Sequence, residues 1–374
     1  MTHYQNPARV NVLGLAMHPA TKQETSLRLE EMVYHVTHSA LENARVSRPQ
    51  VDGLVLASAD ELDGRPISSM LMVAPAGGYL VDEIKLTDCG ASALCMAYAR
   101  IASGDFDLVL ASSWCKSSKT DVESVMRLRA DPFYSRPLGL GATIADGLYA
   151  QANMAALGIS EAEVGERVNR ASRSATRNPR GTQAPELAVG DIGHSAYDAT
   201  PVRTLHRAPL TDGAVTIVLA SDRFLRANRH CRPIACVSGV SWATDRYALG
   251  WERLTAHRSA RAAWKMLMRQ TGLSSAADFN LIELEAQTGW YEAALSRAIG
   301  LDERTAISPS GGAWAQNPLF CTGLVNAAEA ILQVAGSAGE VQLQNVRRSV
   351  AHSMHGFAQQ GHVFMAFEKP GSPQ

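Results

Sequence analysis

Thr87-Asp88-Cys89-Gly90-Ala91-Ser92-Ala93 places a cysteine where a strand-like run ends, at Leu86, and a helix-like run begins, with Leu94, Ala97, Tyr98 and Ile101 on one face. Small side chains after Cys89 let the chain turn sharply and leave room for a bulky group to approach the sulfur. A helix start favours negative charge, so a thiol held there is expected to ionise more readily and to serve as a nucleophile. The same cysteine can equally be read as a small buried hydrophobe with no chemical task.

The rest of the chain must position that turn. Its 374 residues, 46% hydrophobic and 19% charged, suffice to bury a large core. A net charge of −1 offers no bulk attraction to nucleic acid or to an anionic membrane surface. Cys89, Cys95, Cys115, Cys231, Cys236 and Cys321 form no C-x-x-C pair, which argues against a zinc site and suits a reducing, cytoplasmic setting. Residues 1–9 are polar and lack the apolar core of a signal peptide, and no apolar run is long enough to span a bilayer.

Apolar periodicity predicts strands over residues 10–15, 51–57, 84–86, 106–111 and 214–220, with helices over 26–43 and from Cys89 to Gly104. Residues 112 to about 207 break the pattern with helical pieces at 147–157 and 161–174 and the loop Arg177-Asn178-Pro179-Arg180-Gly181; an excursion of this kind covers a site or meets a partner. The first pattern then returns: strand 233–240, helix 259–270, strand 278–286, helix 322–334, and closing strands 346–352 and 362–367. This internal duplication predicts an α/β fold of two pseudo-twofold-related lobes, residues 1–229 (including the excursion) and 230–374, each a mixed sheet covered by helices.

Val51-Asp52-Gly53, the Cys89 turn, Gly104-Asp105-Phe106-Asp107, Asn178-Pro179, Thr211-Asp212-Gly213-Ala214, Ser308-Pro309-Ser310-Gly311-Gly312 and Thr322-Gly323, in this order and spacing, resemble the thiolase superfamily over nearly the whole chain, closest to the sterol-carrier-protein-type thiolases. The resemblance implies the doubled fold, acyl transfer through a thioester on Cys89, a coenzyme A thioester as substrate and no permanently bound cofactor. It further implies a homodimer and, as in some relatives, a small OB-fold partner protein.

Three departures from that family bear on the chemistry. Gln316-Asn317-Pro318 stands where the family has glycine-histidine-proline; Asn317 cannot be a base, but it can donate to an oxyanion, or it can simply cap a helix. Glu285 stands where the family has Asn or His. It can act as a base when ionised or donate when protonated, and its charge would oppose a thiolate; the alternative is a strand-end glutamate facing solvent or an Arg. Glu283, two residues earlier, would share its face in a regular strand. In Ala351-His352-Ser353-Met354-His355-Gly356, His352 matches the histidine of the sterol-carrier type and is the best base left, with His355 as fallback; the bland reading is a histidine packed between strands.

Ser310, Gly311 and Gly312 either line the acyl pocket or form a turn. His257, beside Arg258, falls near where the family binds coenzyme A, which implies contact with its phosphates; a solvated surface pair is the alternative. The chain has no dinucleotide fingerprint and no P-loop. The first expectation is therefore an acyl-CoA-dependent acyltransferase. The altered motifs leave two rivals: a non-catalytic subunit scaffolding a hetero-complex, and a thiolase-fold retro-aldolase acting on a β-hydroxyacyl-CoA.

Overall fold

A computed structural model describes residues 9–302 and 304–371, so the polar segment 1–8 lies outside the described residues. The strands are β1 (Val10–Met17), β2 (Gly53–Ala57), β3 (Asp82–Leu86), β4 (Leu108–Lys116), β5 (Tyr197–Ala199), β6 (Val202–Arg203), β7 (Asp212–Ser221), β8 (Ala235–Thr244), β9 (Leu281–Glu283), β10 (Ala306–Ile307), β11 (Arg348–His355) and β12 (Gly361–Glu368). β5 and β6 pair with each other; the other ten form one sheet in the order β10-β9-β11-β12-β8-β1-β7-β4-β2-β3.

Read outward from its middle, the sheet runs β1-β7-β4-β2-β3 one way and β8-β12-β11-β9-β10 the other. Each half has two antiparallel pairings followed by two parallel ones. The duplication is therefore present strand for strand. Val10, Asn11 and Val12 pair with Val237, Cys236 and Ala235 and join the two halves into one continuous sheet. Strands with helices on their faces are apolar throughout rather than alternating, and β2, β4 and β7 are buried along their full lengths.

The helices are α1 (Leu29–Ala44), α2 (Asp60–Asp63), α3 (Ser69–Met72), α4 (Ala91–Ala102), α5 (Val122–Arg129), α6 (Ala142–Leu157), α7 (Glu161–Ala175), α8 (Val189–His194), α9 (Asp222–Ala227), α10 (Trp251–Ala256), α11 (Arg258–Thr271), α12 (Gly289–Ile299) and α13 (Thr322–Ala335). α1 packs on β1 and β7, and α11 on β8 and β12, whereas α4 and α13 touch each other and strands of both halves. Enclosed on all sides, α13 is apolar or hydrogen-bonded around its whole circumference. Each of its buried aliphatic side chains, such as Leu324, Ile331 and Val334, contributes about 1.5–3 kcal/mol. Among the described residues no helix is long and apolar enough to cross a membrane.

The excursion begins later than residue 112, because β4 stays paired with β7 as far as Lys116 opposite Asp212. It carries α5 to α8 and is tied to the second half by buried acids. Arg180 grips Glu329 of α13 with two bonds, Nε to Oε1 at 2.8 Å and Nη2 to Oε2 at 2.6 Å. Arg167 and Arg170 of α7 both meet Glu292 of α12, at 3.0 and 2.6 Å.

Candidate functional site

Cys89 sits in the turn from β3 to α4 and is 3% exposed. Gly90 lets this turn close on the start of α13. Its N–H donates to Phe320 O at 2.8 Å, and a Cβ there would meet the same oxygen at 2.9 Å and Cys321 Cα at 3.0 Å. Gly323, in the first turn of α13, allows an equally close approach by Ser353, which a Cβ would overlap. The starts of the two central helices thus meet beside the cysteine.

Ser353 Oγ donates to Glu285 Oε2 at 2.7 Å, and Met354 N–H reaches the same oxygen at 3.3 Å. Gln287 Nε2 lies 3.5 Å from Glu285 Oε1 and 2.9 Å from Asn317 Oδ1, and Asn317 Nδ2 donates back to Gln287 Oε1 at 2.8 Å. Thr322 Oγ1 donates to Asn317 Oδ1 at 2.8 Å. Thr211 fixes the Asn317 backbone from the first half, donating its N–H to Asn317 O and accepting from Asn317 N, both at 2.9 Å. Asn317 is therefore a held side-chain amide rather than a helix cap, since α13 starts only at Thr322. Its Nδ2 keeps one hydrogen without a partner among the described residues.

Burial pushes the Cys89 thiol up to about 12, helped by the charge of Asp88 and, less, of Glu285; the hydroxyls of Ser353 and Ser92 pull it back, with Ser92 Oγ 3.3 Å from the sulfur. Desolvation thus outweighs the helix-start effect expected from the sequence. Burial also raises the Glu285 carboxyl to about 7, against its hydrogen bonds from Ser353, Met354 and Gln287. A carboxyl poised near neutrality suits proton transfer.

His352 is not brought to this site. Side chains alternate along β11, so Ser353 facing Glu285 sends His352 to the other face of the sheet. There its Nε2 lies 2.9 Å from His362 Nδ1, its ring packs on Phe364, and burial lowers it to about 3. His355 shares the face of Ser353 and lies over Gly361 with Nε2 3.4 Å from Thr244 Oγ1; burial lowers it, against the charge of Asp88. His257 is a correction too: it is buried, with Nε2 2.9 Å from Asn153 Oδ1 and Nδ1 3.4 Å from the Tyr149 hydroxyl, and burial holds it neutral at about 4. It presents no cation to a phosphate.

Ser310, Gly311 and Gly312 form a buried turn. Ser310 Oγ and N donate to Glu283 at 2.6 and 3.1 Å, and Gly311, at φ 91°, lies against the Ala175 backbone at the end of α7. Glu283 parts from Glu285 because β9 ends at Glu283, short of the predicted 286. Burial and the charge of Glu329 raise Glu283 to about 8. Ser353 and Gln287 are site residues that sequence reasoning passed over. The signal for Ser353 was available: a strand extended to His355 would have put it, with Ala351, opposite His352.

The structure is thus a doubled α/β sheet around two buried helices, with a cysteine and a carboxyl where the helix starts meet. Residues 278–366 match the thiolase C-terminal domain-like family. Over 352 residues the chain is 23% identical to the acetyl-CoA acetyltransferase of Methanothermobacter thermautotrophicus, spanning 87% of this chain and 91% of that one. The structure superposes with a TM-score of 0.79 on a chain described as an Ltp2-ChsH2(DUF35) aldolase, at 17% identity and with 96% of this chain and 98% of that chain covered. Together these likenesses support membership of the thiolase superfamily.

Proposed function

We propose that this protein transfers acyl groups from coenzyme A thioesters through Cys89, handing them to a carbon nucleophile or running the reverse cleavage. The contact of Ser353 with Glu285 beside the thiol carries the reading. Ionised Glu285 takes the Ser353 proton as Ser353 takes that of the thiol. The sulfur attacks the thioester carbonyl, and the unpartnered N–H of Asn317 meets the oxyanion. Coenzyme A then leaves with the proton held on Glu285, and the acyl group stays on Cys89. A thiol at about 12 and an acid at about 7 differ by roughly 7 kcal/mol. The thiol therefore stays protonated at rest, and the proton moves as the carbonyl is attacked.

The same gap, with no imidazole bonded to Glu285 or to Cys89 among the described residues, favours a second reading. Here Glu285 takes the hydroxyl proton of a β-hydroxyacyl thioester, the bond between its α- and β-carbons breaks to a carbonyl product and an enolate, and the enolate is reprotonated. Cys89 then makes no covalent bond. Intact-mass measurement after brief exposure to a panel of acyl-CoA thioesters separates the two. An adduct of one acyl group, absent in Cys89→Ala, supports transfer; cleavage of a β-hydroxyacyl-CoA that survives Cys89→Ala and is lost in Glu285→Gln supports the aldolase. Neither outcome would leave a scaffold subunit, for which a small partner protein would be sought.

The outer strand β3 also fits pairing with a second copy. Laid antiparallel on itself about Ile84, it sets Glu83 opposite Lys85 twice, and exposed Tyr79 and Leu80 directly precede it in the chain.

A further inference from the structure

The turn joining β11 to β12 is bent further than its sequence favours. Gly356, Ala358 and Gln359 have φ of 73°, 49° and 55°, and two of them carry a Cβ. Left-handed backbone at such residues persists only where surrounding contacts impose it. The main contact is Arg253 of α10, which is 6% exposed and donates Nη2 to Phe357 O at 2.5 Å and Nη1 to Ala358 O at 3.0 Å. The Tyr149 hydroxyl holds the Gln359 side chain at 2.9 Å, and Gln360 and Asp245 exchange backbone and side-chain bonds at 2.9 and 3.0 Å. No carboxylate within ion-pair distance neutralises Arg253 among the described residues. A buried cation directed at two turn carbonyls needs an explanation beyond stability, because an apolar side chain would fill the space without the desolvation cost.

Two residues before this turn, β11 presents the Ser353 hydroxyl and the Met354 N–H to Glu285. We infer that Arg253 is a positioning residue for the site: by clamping the turn it fixes the two donors on the Glu285 carboxylate, and so sets the pH at which that group is ionised. The inference rests on Glu285 acting as the proton-handling group. The titratable groups that bear on Glu285 are the Cys89 and Cys321 thiols, from the starts of α4 and α13, while Gln287 and Ser353 are uncharged. Those around Arg253 are Asp245, Tyr149, Tyr291 and His257.

The test is an infrared titration of the Glu285 carboxyl, recognised by the band lost in Glu285→Gln, in the full chain and in Arg253→Met and Arg253→Lys. Lysine keeps the charge but cannot span both carbonyls. Loosened donors stabilise the carboxylate less, so both variants are expected to titrate higher than wild type by about half a unit or more. An unmoved midpoint in either folded variant overturns the clamp, and so does a shift in Arg253→Met that Arg253→Lys reverses, since that is an effect of charge alone. Should Arg253→Met not fold, Arg253→Lys decides. Because the titration needs no turnover, a shifted midpoint in a protein that neither acylates nor cleaves would keep the clamp and overturn the proposed activity instead.

Discussion

Glu285 lies two residues past the end of β9, just beyond the last β9–β11 pair, Glu283 with Ala351, and is bonded to Ser353 of β11 at 2.7 Å. The carboxyl thus sits in the segment between β9 and α12, held there by Ser353 and Met354 of β11.

A base must be ionised to accept a proton. With the carboxyl raised to about 7, the rate of Cys89 acylation is expected to fall on the acid side with a midpoint near that value. Glu285→Gln should remove this limb and lower the rate by about a hundredfold or more. Intact-mass time courses from about pH 5.5 to about pH 8.5 check both.

The same carboxyl makes stability depend on pH. Its folded value of about 7 lies above the ordinary 4.5, so its favourable contribution is complete below 4.5 and is lost as pH rises through about 7. Glu285→Gln escapes that loss and should be more stable than wild type by up to about 3 kcal/mol on the alkaline side, with little difference near pH 4. Urea unfolding at the two pH values reads the gap, and an equal effect at both would contradict it.

The buried histidines act in the opposite direction. His352 is lowered to about 3, and His206 and His257 to about 4, from 6.5. Their neutral forms support the fold above 6.5, and that support drains away as pH falls from 6.5 to about 4 for His206 and His257 and to about 3 for His352, by up to about 1.4 kcal/mol per pH unit for each group that only the unfolded chain protonates. Replacing His352 with Gln should flatten this slope while leaving Cys89 acylation near wild type, which unfolding curves and mass time courses together would show.

Arg180→Met leaves Glu329 enclosed and facing Glu283. A loss of about 3 kcal/mol or more is expected from urea unfolding. The double variant Arg180→Met, Glu329→Gln should recover most of it, because the uncompensated charge is gone.

Pairing through β3 predicts a dimer in sedimentation velocity. Glu83→Lys would set two like-charged pairs across the symmetry axis and should raise the dissociation constant about tenfold or more. An unchanged dimer would place the interface elsewhere.

Much of the fold was legible because its elements are long and periodic: residues 10–15, 26–43 and 322–334 became β1, α1 and α13 with small changes at their ends. The strand-to-helix turn that holds Cys89 was legible too. What the one-dimensional pattern hid was which way side chains face near strand ends. His352 drew attention as an imidazole in a promising motif, yet β11 extends three residues past it, and alternation gives the site side to Ser353. His257 looked like the start of a surface helix, but α6 and α10 close over it, a relation between segments about a hundred residues apart. The joining of the two halves by β1 and β8 was equally invisible, because three paired residues leave no periodic trace.

Among the described residues β1 comes first along the chain, and its neighbours in the sheet are β7 and β8. On the ribosome it must therefore wait, unpaired, until more than half of the chain has emerged, while β2, β3 and β4 can already assemble around α4. The centre of the sheet closes only once β7 and β8 have emerged, and a nascent chain stalled before Asp212 would expose β1 and the apolar face of β4 together. Such a truncated product would be expected to engage chaperones rather than persist as a folded first half.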